Sequence, residues 1–158
     1  MPSAPVTVKV PRMSYPVTSL VSLLSAHRVS PWYYFTRIKR GRFNHRPAWA
    51  HRTDGGRGGV FEIAEVDFHR ALAIGVVDAR DAANLGKTFL GPSDIEGSEV
   101  GRRIQLRVTD LGRAALVAAE AKETARAEAK AAKVRVVQPS MLIGPNGPVF
   151  LPRKVLGP

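Results

Sequence analysis

The stretch from Arg102 to Leu116, RRIQLRVTDLGRAAL, changes from strand periodicity to helix periodicity without loop residues between the two halves. Its first half alternates apolar and polar side chains, which predicts a half-buried strand ending at Val108. Its second half places apolar side chains at helical spacing, so a helix begins at Thr109 or Asp110. Either side chain can cap the first free amides of that helix, so no connecting loop is needed.

The residues ahead of this joint predict a second strand that pairs with the first. Residues 61–74 are compatible with one or two short helices, with Asp67 as an N-cap and Gly75 at a helix C-terminus. A short strand, VVDA, follows. Residues 80–101 contain four glycines and a proline, which predicts a long loop with room for one helical turn at 81–85.

The remaining elements are predicted from periodicity and from Pro and Gly positions. Residues 17–29 have leucines at helical spacing, and Pro31 ends that first helix. Residues 31–43 form a strand or a short helix, and the Gly-rich residues 54–59 form a loop. The helix after Val108 extends to about Lys133, and the Pro-Asn-Gly of the tail favours a hairpin or an extended arm.

The order helix, Gly-Val-Val strand, hairpin loop, returning strand, Thr cap and helix resembles the wing of winged-helix DNA-binding proteins of the MarR-type and PadR-type regulators. In those families a helix ends at G-L-V, and the returning strand of the wing enters L-T-x-x-G-R-x-x-L. The matching residues are AIGVV from Ala73 to Val77 and VTDLGRAAL from Val108 to Leu116. The resemblance covers about residues 70–118.

The resemblance implies an α+β fold with a winged helix-turn-helix-like core, a long C-terminal helix and extended terminal arms. We divide the chain into an arm at 1–16, the core at 17–118, a helical extension at 119–133 and a tail at 134–158. In the resembled families the long helix is a dimer element, so a homodimer is expected. Their recognition helix corresponds to Asp67–Ile74 and reads the major groove.

Positive charge concentrates in one part of the chain and predicts a polyanionic partner. The chain carries a net charge of +11, and residues 27–59 hold eight Lys or Arg residues and one acid. We expect a nucleic acid, with duplex DNA favoured. The predicted contacts come from this basic block, the recognition helix and the wing: Arg37, Lys39, Arg40, Arg42, Arg46, Arg52, Arg57, His69, Arg70, Arg80, Lys87, Arg102 and Arg103.

The sequence contains no motif that predicts catalysis or a cofactor. The GKT at Gly86–Thr88 lacks the glycine five residues earlier that a phosphate-binding loop needs, since that position is Asp81. No two histidines have the i, i+4 spacing of a helical metal site. The acids Glu62, Glu65 and Asp67 fit the first turn of a helix better than a catalytic centre. We therefore expect a protein that is not an enzyme, with no metal and no cofactor.

Composition sets the compartment that we expect. The chain has no cysteine, which fits a reducing cytoplasm. The N-terminal residues lack the pattern of a signal peptide, and no apolar run approaches the roughly 20 residues of a membrane span. We expect a soluble, cytoplasmic protein without membrane contact.

Three functions stay open at this point. The first is a winged-helix transcriptional regulator whose affinity falls steeply with salt. The second is an RNA or single-strand binder in which aromatic rings of the block 27–59 stack on bases while arginines contact phosphates; we expect at least half of these rings in the core. The third is a structural or assembly protein of the phage or mobile-element type, whose arms become ordered on partners.

Overall fold

The structure is a computed structural model that describes residues 9–26, 32–42, 45–53, 59–83, 89–137, 142–144 and 147–149. The chain divides into two compact units, Met1–Glu120 and Ala121–Pro158. Among the described residues, no helix is both long enough and apolar enough to cross a membrane.

The described elements alternate between helices and strands and give an α+β fold. In chain order they are α1 (Tyr15–Ala26), β1 (Tyr33–Ile38), β2 (Ala48–Arg52), β3 (Val60–Ala64), α2 (Glu65–Ala73), β4 (Val77–Asp81), α3 (Pro92–Ile95), β5 (Arg103–Val108), α4 (Asp110–Val137), β6 (Leu142–Gly144) and β7 (Gly147–Val149). The predicted α+β class and the long C-terminal helix are confirmed.

The first unit is built on a five-stranded sheet in the order β3-β2-β1-β5-β4, with every neighbouring pair antiparallel. The central strand β1 pairs with β2 on one side and with β5 on the other. Because side chains alternate along a strand, each residue faces either the helices or the opposite, outer face. The registers Tyr34↔Gln105 and Arg80↔Gln105 place these three residues side by side on the outer face.

The helices α1 and α2 supply the apolar partner of the inner face. In α1, four buried residues at helical spacing, Val17, Leu20, Val21 and Leu24, form its apolar stripe. They belong to one core with the sheet residues Phe35, Trp49, Ile63, Ile104 and Leu106, all at most 1% exposed. The helices α1 and α2 therefore cover the inner face of the sheet, and the outer face is free of these two helices.

The pair β4–β5 is formed as predicted, but its surroundings differ from a wing that projects from a helical core. β5 pairs with β4 over Val77↔Val108 to Asp81↔Ile104, and it also pairs with β1. The strands are therefore part of a larger sheet. Local periodicity could not predict this pairing, because β1 lies about 70 residues before β5 in the chain.

Two local predictions between β2 and β4 are wrong. Residues 60–64 are a strand instead of a helix, because β3 completes the edge of the sheet through ladder pairing with β2. Asp67 is not an N-cap: α2 begins at Glu65, and its N-cap is Ala64, which has no side-chain capping bond. Asp67 instead accepts a hydrogen bond from the Ser14 hydroxyl, 3.4 Å away.

Two predicted connections are found in the structure: the turn between α2 and β4, and the direct passage from β5 into α4. Gly75 has φ of +75°, in the left-handed region that favours glycine after a helix. Thr109 caps α4, since its Oγ1 accepts a hydrogen bond from the amide of Gly112 at 3.0 Å.

Residues 9–14 of the predicted N-terminal arm lie outside helix and strand, and α1 begins two residues earlier than predicted.

The second unit contains the end of α4 and a short antiparallel hairpin. β6 and β7 pair antiparallel from Leu142↔Val149 to Gly144↔Gly147, which is the hairpin of the two alternatives predicted for the tail. α4 ends at Val137, four residues beyond the predicted end.

Candidate nucleic-acid interface

The outer face of the five-stranded sheet carries a group of arginines and aromatic rings in mutual contact. We call it the arginine–aromatic cluster and define it as Trp32, Tyr34, Arg80, Phe89, Arg103 and Arg107. β1 supplies Tyr34, and Trp32 directly precedes that strand. β5 supplies Arg103 and Arg107, and β4 supplies Arg80. Strand alternation brings these residues to one face although they are far apart in sequence.

Guanidinium groups lie over rings throughout the cluster. The Arg80 Cζ is 4.0 Å from the centroid of the Trp32 ring, and the Arg107 Cζ is 4.9 Å from the same centroid. Arg107 also lies 5.1 Å from the ring centroid of Phe89, whose ring stacks on Trp32 at 6.3 Å. Arg103 lies 5.0 Å from the Tyr34 ring centroid. All four distances from cation to ring are within the range of cation–π attraction.

Two of the arginines are also held by hydrogen bonds. Arg107 donates from Nε to Asp78 Oδ2 at 2.9 Å, and its Nη2 lies 2.9 Å from the same oxygen. The Arg80 Nε donates to Gln105 Oε1 at 2.6 Å. Among the described residues, no acidic side chain forms an ion pair with Arg80 or Arg103. The cluster therefore keeps oriented positive charge that its own acids do not neutralise.

Part of the cluster is exposed. Tyr34 is 47% exposed and Phe89 is 51% exposed, values that are high for large apolar rings. Arg103 is exposed as well, whereas Trp32 and Arg80 are half-buried beneath their neighbours. The exposed rings and guanidinium planes leave flat surfaces on which another planar group can stack.

A second basic feature borders the same face. We call Lys39, Arg40, Arg42 and Arg46, in the connection between β1 and β2, the basic loop; all four are exposed. The Arg42 amide donates to Glu62 Oε2 at 2.5 Å, and Glu62 lies on the outer face opposite Ala50. This contact attaches residue 42 of the basic loop to the side of the sheet that carries the cluster.

The combined surface is strongly positive. Among the residues that the structure describes, the outer face and the basic loop contain two acids, Asp78 and Glu62, which are engaged by Arg107 and by the Arg42 amide. They contain eight basic residues: Lys39, Arg40, Arg42, Arg46, Arg52, Arg80, Arg103 and Arg107. A field of this sign attracts a polyanion and concentrates it near the surface.

Seven of the residues predicted as nucleic-acid contacts are brought together here: Lys39, Arg40, Arg42, Arg46, Arg52, Arg80 and Arg103. Arg57 and Lys87 lie outside the described residues. Arg70 is exposed on α2, on the helical side of the sheet, and the neighbouring His69 is half-buried. The predicted contacts therefore do not form one continuous surface.

Two predicted contacts have structural partners instead of an open surface. Arg37 is 8% exposed, and its Nη2 lies 3.0 Å from Glu65 Oε2. Arg102 donates to the Asp94 carbonyl and the Ser98 hydroxyl, each at 2.8 Å, and forms an ion pair with Asp81 at 3.3 Å. We exclude both from the candidate interface because their guanidinium groups tie segments of this unit together.

Arg107 and Phe89 belong to the interface but were not predicted as contact residues. Arg107 has a sequence signal, because it shares the outward alternation of Arg103 on the predicted strand. Phe89 has none, since it reaches the cluster through an isolated bridge between its neighbour Leu90 and Ala79. Of the rings in the block 27–59, Tyr33, Phe35 and Trp49 are in the core, so three of the five described rings are buried.

Comparisons with known proteins give no match: no family model, no curated protein and no solved structure matches this chain.

Proposed function

We propose that this protein is a non-enzymatic nucleic-acid-binding protein that binds single strands on the outer face of its sheet. The observation that carries the proposal is the contact of Arg80, Arg103 and Arg107 with the rings of Trp32, Tyr34 and Phe89 on a positively charged face. Aromatic rings supply stacking surfaces for bases, and the arginines attract phosphates.

Exposed rings on a sheet favour unpaired bases over duplex. A base stacks on a side chain with its full π-face only after it leaves its own stack, as it does in a single strand. Each base stacked on an aromatic ring contributes about 1–3 kcal/mol to single-strand binding. Guanidinium planes held against rings also serve as stacking surfaces for bases. The proposed ligand is therefore single-stranded RNA or DNA.

The test measures binding of the full chain to a random single strand and to a random duplex at two salt concentrations. We expect tighter binding of the single strand, weakened by salt because phosphate contacts release counterions. Tyr34→Ala and Phe89→Ala each remove an exposed ring, and we expect about 1–3 kcal/mol lower affinity from each. Arg70→Ala, at an exposed residue on the helical side of the sheet, is the control. Equal binding of duplex and single strand, unaffected by the ring variants, would contradict the proposal.

A winged-helix regulator is the second candidate, favoured by the joint between β5 and α4. The left-handed Gly75, the β4–β5 pair and the Thr109 cap occur at the positions that the resemblance implies. In that function α2 reads duplex DNA through Arg70 and His69. A loss of duplex affinity in Arg70→Ala, together with a preference for particular duplex sequences, would support this candidate against single-strand binding.

A further inference from the structure

We propose that the single strand follows β1 from Phe89 past Trp32 and Tyr34 to the basic loop, with a footprint of five to six nucleotides. This inference rests on the proposed function and adds the path and length of the ligand. It also divides the interface into a stacking end, the arginine–aromatic cluster, and a phosphate-binding end, the basic loop.

The stacking end has three consecutive positions. Phe89 and Trp32 are 6.3 Å apart between ring centroids. Trp32 and Tyr34 are two residues apart on an extended chain, which separates them by about 7 Å. When one side-chain ring lies between each base and the next, successive bases are separated by about twice the 3.4 Å repeat of stacked DNA. The three positions therefore match three successive nucleotides of an extended strand.

The middle position differs from the other two. Trp32 is half-buried, with Arg80 at 4.0 Å and Arg107 at 4.9 Å from its ring centroid. A base at this position stacks on the guanidinium plane of Arg80, which the Trp32 ring supports. The outer positions offer exposed rings, Phe89 at 51% and Tyr34 at 47%.

The basic loop lies at the other end of β1. Lys39 lies five positions after Tyr34, which corresponds to about 17 Å of extended strand. Two to three further nucleotides cover that distance at the spacing set by the stacking end. Along this path the outer face of β1 presents Thr36 and Ile38, neither of which has a ring or a charge.

The basic loop consists of four cations, and the described residues of the connection between β1 and β2 carry no aromatic ring other than the His45 imidazole. Lysine and arginine side chains bind phosphates irrespective of base identity. A trinucleotide therefore contacts only the stacking end. Contact with the basic loop needs a ligand long enough to extend beyond the cluster.

The experiment titrates the full chain with oligothymidylates of three, six and nine nucleotides. It compares the native chain with Lys39→Ala/Arg40→Ala/Arg42→Ala. We expect affinity to rise from three to six nucleotides and to change little from six to nine. The loop variant removes the rise but leaves trinucleotide affinity within about twofold, and it lowers the salt slope for the hexanucleotide by about 2.

A matched control removes the same charge from α4, outside the sheet, in Lys122→Ala/Arg126→Ala/Lys130→Ala. These residues are exposed, and so are the three loop residues, so both variants are expected to fold; circular dichroism verifies this. We expect the control to retain the rise from three to six nucleotides.

The outcomes separate the two proposals. No binding of the nonanucleotide at low salt overturns the proposed function. Binding in which the loop variant weakens the trinucleotide as much as the hexanucleotide overturns the path along β1 and leaves single-strand binding in place. A steady rise in affinity up to nine nucleotides also overturns the footprint.

Discussion

The Thr109 hydroxyl donates a hydrogen bond to the carbonyl oxygen of Gly75, 34 residues earlier in the chain, at 2.7 Å. The Thr109 Oγ1 also accepts a hydrogen bond from the Gly112 amide at 3.0 Å. One side chain thus caps α4 and ties its start to the turn that follows α2. This double role explains how β5 passes into α4 without a loop.

Thr109→Ala removes both hydrogen bonds, so it is expected to destabilise the protein by about 1–2 kcal/mol, the usual effect of losing a helix cap. Chemical denaturation monitored by circular dichroism measures the difference in free energy of unfolding. Thr109→Ser keeps the hydroxyl and is expected to stay close to the native value. Equal destabilisation by both substitutions would show that the methyl group, and not the cap, is responsible.

Gly112→Ala is expected to destabilise the protein although alanine favours helices. A Cβ at this position would clash with the carbonyl oxygen of Val76 and lie 2.9 Å from Val108 Cγ2. The gain of about 1 kcal/mol from helix propensity is smaller than the overpacking cost, which is about 1–3 kcal/mol and higher where backbone must move. Gly59→Ala is the control, because a Cβ there meets nothing within 4 Å. A thermal unfolding midpoint at or above the native value in Gly112→Ala would contradict the close approach.

Glu65→Ala is expected to destabilise the fold by about 3–5 kcal/mol, because it leaves the Arg37 guanidinium buried without its counter-charge. Arg37 lies on the inner face opposite Trp49, and its side chain is 9% exposed. The double variant Arg37→Met/Glu65→Met removes both charges and should recover much of the loss. Urea denaturation of the two variants makes the comparison. A double variant no more stable than Glu65→Ala would argue that packing, not the unpaired charge, dominates.

Trp32 should report ligand binding by fluorescence. The chain has two tryptophans, and Trp49 is 0% exposed in the core while Trp32 lies in the cluster. In a Trp49→Phe variant the remaining tryptophan emission comes from Trp32, and we expect it to change on addition of an oligonucleotide, because a base stacked at the cluster alters the surroundings of that ring. Unchanged emission under conditions where binding is measured independently would place the ligand away from the cluster.

Arg103→Lys separates charge from planarity. Lysine keeps the positive charge but lacks the flat guanidinium that lies over Tyr34. We expect weaker binding of single strands with an almost unchanged salt dependence, whereas Arg103→Ala lowers both affinity and salt slope. Equal affinity of the lysine variant and the native chain would show that Arg103 contributes its positive charge and not the flat guanidinium surface.

The sequence identified the basic block and much of the local structure around it. Outward alternation marked Arg103, and charge density marked Lys39, Arg40 and Arg42. Charge density did not distinguish Arg37, which pairs with Glu65 in the interior. The number of charges in a segment does not show which face of a strand each residue occupies, and residues 31–43 were compatible with either a strand or a short helix.

Sequence alone determined the elements whose signals are local: the strand at 103–108, a cap at Thr109 or Asp110, the glycine that ends a helix at Gly75 and the long helix that follows. The structure assigns the cap to Thr109. These depend on periodicity and on backbone preferences of a few adjacent residues. Only the tertiary structure decided that β5 lies between β1 and β4, and therefore that Trp32 meets Arg80 and Arg107. Strand pairing across many residues depends on burial of a shared face, which no short window of sequence contains.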